Sequence, residues 1–229
     1  MILRRQLKRS TTSQNSIIFL ATDFARVGEL IDCTRNGVHR TSRGRLLRDA
    51  SPHGLIAWEQ VLVLSSNIGM AIVCERLGAS NLHRAVSAFG FGQRTGIALP
   101  GESAGIVHPL ARWNHYSVTS IPMGQEIAVT PLQLVRALCA IANDGLMPLP
   151  SVRIEPRPDN DEPILIRVIA PETARLTRQV LRLAVTEGTG RRGNSPYYPI
   201  FGKTGTGKSF TAKWGGQPGR SRIKALMTL

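Results

Sequence analysis

The apolar positions of this chain fall into blocks of different period. Leu55 to Leu64 (LIAWEQVLVL) is almost wholly apolar, with Glu59 and Gln60 inserted, and predicts a largely buried helix. Ser65-Ser66-Asn67 interrupts it. A second apolar run, Ile68 to Leu77, predicts another helix, closed by Gly78 in the C-cap position. Ser80 or Asn81 then caps a helix through Ser87, which Phe89-Gly-Phe-Gly92 stops. Thr130-Pro131-Leu132-Gln133 carries the marks of a helix start: a Thr cap, Pro in the first turn and Gln at the capping-box site. Leu134, Val135, Leu138 and Ile141 follow at spacings of three and four and define an inward side, and Asn143-Asp-Gly145 ends the helix. Pro171 opens a further helix to Thr186, with Leu176, Val180, Leu183 and Ala184 inward and Gly188-Thr-Gly190 after it.

Between these blocks the periodicity fades. Residues 1–16 read as a disordered or divergent start, and 17–30 as a short helix. Asp32 to His53, rich in Arg, Gly, Ser and Asn, reads as loop. Residues 93–123 read as loops with short strands at most, and 146–164 as a Pro-rich connector. Pro163 to Ile169 predicts a short strand, as does Tyr197 to Phe201. Residues 209–229 read as a basic, irregular tail. There are no internal repeats. The expected body is residues 17–208, mostly helical with a few strands.

At 229 residues and 42% hydrophobic, the chain is long enough to bury a core. The net charge of +14 points to anionic partners or to a merely basic surface. Aromatics are only 5% and do not interleave with the basic residues, so no nucleic acid is expected as partner. Cys33, Cys74 and Cys139 show no CxxC or Cys/His spacing, so neither a structural zinc nor any other metal is implied. The apolar piece Ile17 to Ala21 is too short for a signal core, and no run reaches the length that crosses a bilayer.

Phe201-Gly-Lys-Thr-Gly-Thr-Gly-Lys-Ser209 reads in two ways. As Gly202-x-x-x-x-Gly207-Lys208-Ser209 it matches the phosphate-cradling P-loop letter for letter. That motif needs a long helix after it, and Phe-Thr-Ala-Lys-Trp before Gly215-Gly216 offers none. As Lys203-Thr204-Gly205 it matches the third motif of the penicillin-recognising serine acyltransferases. Taken alone, Ser65 and Asn67 are readily a polar helix cap, and Lys203-Thr-Gly a plain strand end.

The order of blocks decides between them. Ser65-Ser-Asn67 is followed by Phe89-Gly-Phe-Gly92, Thr95-Gly-Ile-Ala-Leu-Pro-Gly-Glu102, Trp113, Met123-Gly-Gln125, Val129-Thr-Pro-Leu-Gln133, Glu187-Gly-Thr-Gly190 and Gly202-Lys-Thr-Gly-Thr206. Over residues 20 to 208 this succession closely resembles the transpeptidase domain of class B penicillin-binding proteins. The resemblance implies an α/β sandwich of the serine β-lactamase/transpeptidase type, an antiparallel sheet with a large helical part, here incomplete at both termini. It implies acyl transfer on the D-Ala-D-Ala stem peptides of peptidoglycan, binding of β-lactams, and no cofactor. By the same resemblance Ser65 is a proton-relay hydroxyl, Asn67 holds a substrate amide, and Lys203 is the cationic partner. Thr204 contacts a carboxylate, Gly205 lies beside the substrate, and Thr206 gives an oxyanion N–H. Such a serine needs an adjacent base, and its oxyanion needs preorganised donors, each removing about 3–4 kcal/mol of barrier.

The chain departs from the family where the nucleophile belongs. Ser-x-x-Lys is expected upstream of Ser65, where the chain reads Ser10-Thr-Thr-Ser-Gln-Asn-Ser16-Ile-Ile-Phe19, with Ser16 and Phe19 in the lysine slots of Ser13 and Ser16. Ser221-Arg-Ile-Lys224 follows Lys-Thr-Gly instead of preceding it. The expectation is therefore an inactive relative. The alternatives are a pseudoenzyme that binds peptidoglycan or a cell-wall synthesis protein, and, remotely, a nucleotide binder at Gly202–Ser209. The family sits at the periplasmic face of the inner membrane, and here the expected membrane anchor is missing.

Overall fold

The structure, a computed structural model, describes residues 28–152, 164–210 and 220–228, from residue 206 onward by backbone alone. The expected start at 1–16, and the expected helix at 17–30 as far as residue 27, lie outside these residues.

Leu30–Asp32 (β1) pairs antiparallel with Leu55–Ala57 (β4), and Trp58–Val63 (α1) follows without a break. The apolar run at 55–64 is thus divided: its first turn is strand, because Leu55 and Ile56 face Asp32 and Ile31 across the ladder. Val38–Arg40 (β2) and Leu46–Arg48 (β3) form a hairpin inside the stretch expected to be loop. The strands are three residues each, too short for a visible period of two, and the Gly44 turn between them has φ +82°.

Asn67–Leu77 (α2) ends at Gly78 as expected, with Gly78 at φ +77°. The same glycine caps Ala79–Ala88 (α3), so neither Ser80 nor Asn81 is the cap; the Asn81 amide donates to the Leu77 carbonyl instead. Residues 93–123 are loops and short turns of helix, Ser117–Ser120 (α4) among them. Pro131–Ala142 (α5) begins with the expected capping box, Thr130 and Gln133 bonding reciprocally. Gln133 also donates its amide to the Gln93 and Ala104 carbonyls at 2.6 and 2.9 Å, which ties the loop at 93–104 to the helix. Val135 is exposed, contrary to expectation; Ala137 and Ala140 take the inward places beside Leu134, Leu138 and Ile141.

Leu146–Pro148 (β5) and Leu165–Arg167 (β6) pair antiparallel, and Pro171–Thr186 (α6) has the predicted ends. Its buried side is Ala174, Thr177, Val180, Leu181, Ala184 and Val185, whereas Leu176 and Leu183 are half-buried. Trp58, Ile31, Leu62, Ile68, Leu82, Ile121, Leu138, Ile141 and Leu181 are the largest fully buried apolar side chains, so α1, α2, α5 and α6 share one core.

Gly202–Phe210 (β7) and Arg220–Thr228 (β8) form the longest antiparallel pair, nine residues each. Two expectations are corrected here. Tyr197 to Phe201 is irregular, and the strand starts at Gly202. The C-terminal stretch expected to be irregular contains β8, so the Lys-Thr-Gly strand has a partner along its whole length. Arg220, Arg222 and Lys224 stand at every second position, a strand alternation that looks like a basic tail when read by composition. The P-loop alternative also falls: Gly207, Lys208 and Ser209, where a P-loop opens its phosphate-cradling helix, are strand residues opposite Ile223, Arg222 and Ser221.

Candidate functional site

The site forms where the loop between α1 and α2 meets the start of β7. Ser65 sits in that loop at φ +59°, a left-handed conformation that most side chains avoid. Two backbone bonds hold the turn: Ser65 N–H donates to Leu62 and Ser66 N–H to Val61. Ser66, and neither Ser65 nor Asn67, is the N-cap of α2, its Oγ accepting from Gly69 N–H at 3.0 Å. Its own hydroxyl donates to Asp49 at the end of β3, and the same carboxylate accepts from the backbone N–H groups of Asn67 (2.6 Å) and Ile68 (3.1 Å). An acidic group at a helix N-terminus satisfies donors that the helix cannot. Capping by Ser66 and Asp49 leaves the Ser65 hydroxyl free to face outward.

That hydroxyl meets β7. Lys203 Nζ donates to Ser65 Oγ and to the Thr204 carbonyl at 3.1 Å. Lys203 is 4% exposed, and burial pushes its ammonium down from 10.5 to about 8. Ser65, Lys203 and Thr204 are therefore brought together, 138 positions of sequence apart for the first two. Gly205 is buried beside them on β7, opposite Ala225, and Thr206 is opposite Lys224. Asn67 lies at the rim; its Nδ2 donates to the Arg48 carbonyl at 3.1 Å.

One residue of the site went unassigned in the sequence. Thr189 Oγ1 lies 2.7 Å from Thr204 Oγ1 and 3.4 Å from Ser65 Oγ. Its signal was the Glu187-Gly-Thr-Gly190 block, which reads locally as no more than a helix stop. Among the described residues no group of three or more His, Cys, Asp or Glu could hold a metal ion, and no helix is long and apolar enough to cross a membrane.

The structure thus places the Ser65 hydroxyl against a buried lysine on the Lys-Thr-Gly strand. Residues 43–226 match the family model of the penicillin binding protein transpeptidase domain. The chain belongs to this family. Penicillin-binding protein PbpB of Mycobacterium tuberculosis is 37% identical over 183 residues, covering 71% of this chain and 26% of that protein. Stage V sporulation protein D of Bacillus subtilis is 38% identical over 162 residues, covering 67% and 25%. The crystal structure of apo penicillin binding protein 3 from Mycobacterium tuberculosis superposes with a TM-score of 0.76 at 32% identity, over 87% of this chain and 48% of that one. Its complexes with aztreonam and with ampicillin superpose equally well. The family fold is thus the serine acyltransferase sandwich anticipated from the motif order. The chain spans between a quarter and three tenths of the length of its curated relatives, including the probable peptidoglycan D,D-transpeptidase PbpC of Pseudomonas aeruginosa.

Proposed function

We propose that this chain carries the substrate-holding wall of a peptidoglycan D,D-transpeptidase site and binds β-lactams and D-Ala-D-Ala stem peptides there. The observation that carries the reading is the Lys203–Ser65 contact beneath β7. A buried cation beside a strand suits an extended peptide that ends in a carboxylate. Lys203 attracts the carboxylate, Thr204 receives it, and the backbone N–H of Thr206 is the donor for the scissile carbonyl. Asn67 is the amide-holding residue of this reading; its Nδ2 gives one hydrogen to the Arg48 carbonyl. The chain acts at the outer face of the inner membrane, where peptidoglycan is assembled, alongside other cell-wall synthesis proteins.

The reading gives Ser65 a relay role and no nucleophilic one. Residues 1–64 contain no serine with lysine three positions later, so no serine there has the family's local base. Binding is then reversible and acylation absent. The test is incubation of the full chain with a fluorescent penicillin, followed by intact-mass measurement and equilibrium retention. The expected result is retention that a D-Ala-D-Ala peptide displaces, with the chain mass unchanged. A stable penicilloyl adduct contradicts the loss of the nucleophile; no retention contradicts the binding wall.

A further inference from the structure

Taking the Lys203–Ser65 cleft as the ligand cleft proposed above, we infer that Thr189 is a positioning residue of this site: its hydroxyl joins Ser65 and Thr204 into one hydrogen-bond chain that begins at Lys203.

The backbone fixes where Thr189 stands. After α6, Gly188 N–H donates to Leu183 and Gly190 N–H to Ala184. Thr189 N–H donates to the Val63 carbonyl at 3.3 Å, the last residue of α1 and two positions before Ser65. A Cβ on Gly188 would lie 2.3 Å from that same carbonyl, so the turn rests directly on the end of α1. Thr189 is exposed and packs into no core. Both recorded contacts of its hydroxyl go to side chains of the site.

A hydroxyl has one hydrogen to give and two lone pairs to accept with. When Lys203 is charged, Ser65 accepts from it, and the Ser65 hydrogen then has Thr189 to go to. Thr189 in turn gives its hydrogen to Thr204. The Thr204 hydrogen is left over, available to a ligand carboxylate. When Lys203 is neutral it accepts from Ser65, and the chain can run the other way, leaving Thr204 a lone pair to present. The charge on one buried amine thereby sets whether Thr204 offers a donor to the cleft. The charged residues on the segments that meet here are Asp49, bound to Ser66 and the start of α2, Glu187, just after α6, and Arg191, whose Nε donates to the Glu187 carbonyl. None of them contributes to the Lys203 shift, which comes from burial alone.

Removing the Thr189 hydroxyl leaves the Ser65 hydrogen without its acceptor when Lys203 is charged, so the charged form loses support. The experiment is titration of Lys203 in the full-length free chain by NMR of 13C-labelled lysine, with the Lys203→Met variant assigning the resonance. Thr189→Val is expected to lower the apparent pKa of Lys203 by about half a unit to one unit, the worth of one lost hydrogen bond. Thr189→Ser restores it. A purely structural role would lower the melting temperature of both variants and leave the lysine titration where it was. An unchanged titration in Thr189→Val, or no recovery in Thr189→Ser, overturns the proposal. No ligand enters the measurement, so it stands or falls separately from β-lactam binding.

Discussion

Lys203 Nζ donates to Ser65 Oγ, joining β7 to the α1–α2 loop across 138 positions of sequence. The bond runs through a buried charge. Folding holds the amine at about 8 against an ordinary 10.5, so between these values the unfolded chain binds more protons and stability rises with pH. Below pH 8 the charged lysine costs stability, about 3 kcal/mol at most. Lys203→Met is therefore expected to be more stable than the natural chain in urea unfolding at pH 7, and the gap should close towards pH 10. A variant less stable at pH 7 would show that Ser65 and the Thr204 carbonyl repay the burial in full.

Asp49 is expected to hold Ser65-Ser66-Asn67 in shape from outside the motif. Its carboxylate takes three donors at the start of α2. Asp49→Ala should cost about 2–3 kcal/mol, since it strands donors that bonded a charged acceptor. Amide exchange at Asn67 and Ile68 should speed up with it, while a surface substitution such as Arg43→Ala should change neither.

Gly188 allows the close approach that places Thr189. A Cβ there would lie 2.3 Å from the Val63 carbonyl and 2.9 Å from that of Ala184, backbone atoms that do not yield easily. Gly188→Ala is expected to destabilise by about 1–3 kcal/mol. It should also move the Thr189 and Ser65 amide resonances, whereas Gly101→Ala, strained by its φ of +79° but with nothing within 4 Å of the added carbon, should leave the site spectrum intact.

The four longer helices were legible because their signals are local: the Thr130 capping box, the Gly78 stop, the ends of α6 at Pro171 and Thr186. Of the short strands only β6 was legible, inside the β-rich run from Pro163 to Ile169. β2, β3 and β5 are three residues each and exist because a partner lies opposite, which no local pattern states. β8 was hidden by its charges: the basic composition of 209–229 reads as a tail until the backbone pairing with β7 shows a strand. Within the site, Ser65, Lys203 and Thr204 were found through motif order. Asp49 and Thr189 were not, because their roles arise from loops that meet only in the folded chain. The division of labour at Ser65-Ser66-Asn67 was likewise invisible, since either serine could cap α2 by spacing alone.

The central claim is that Lys203 and Thr204 bind the carboxylate of a β-lactam or stem peptide. It is tested most directly by residue-resolved NMR titration of the full chain with ampicillin and with N-acetyl-D-Ala-D-Ala, at pH 7 and at pH 9.5. Saturable shifts centred on Ser65, Thr189, Lys203 and Thr204 are expected at pH 7. Most of the affinity is expected to be lost at pH 9.5, where an amine held at about 8 has given up its proton, and the ligand should be recovered intact. Shifts elsewhere on the chain, or equal affinity at both pH values, would contradict the claim.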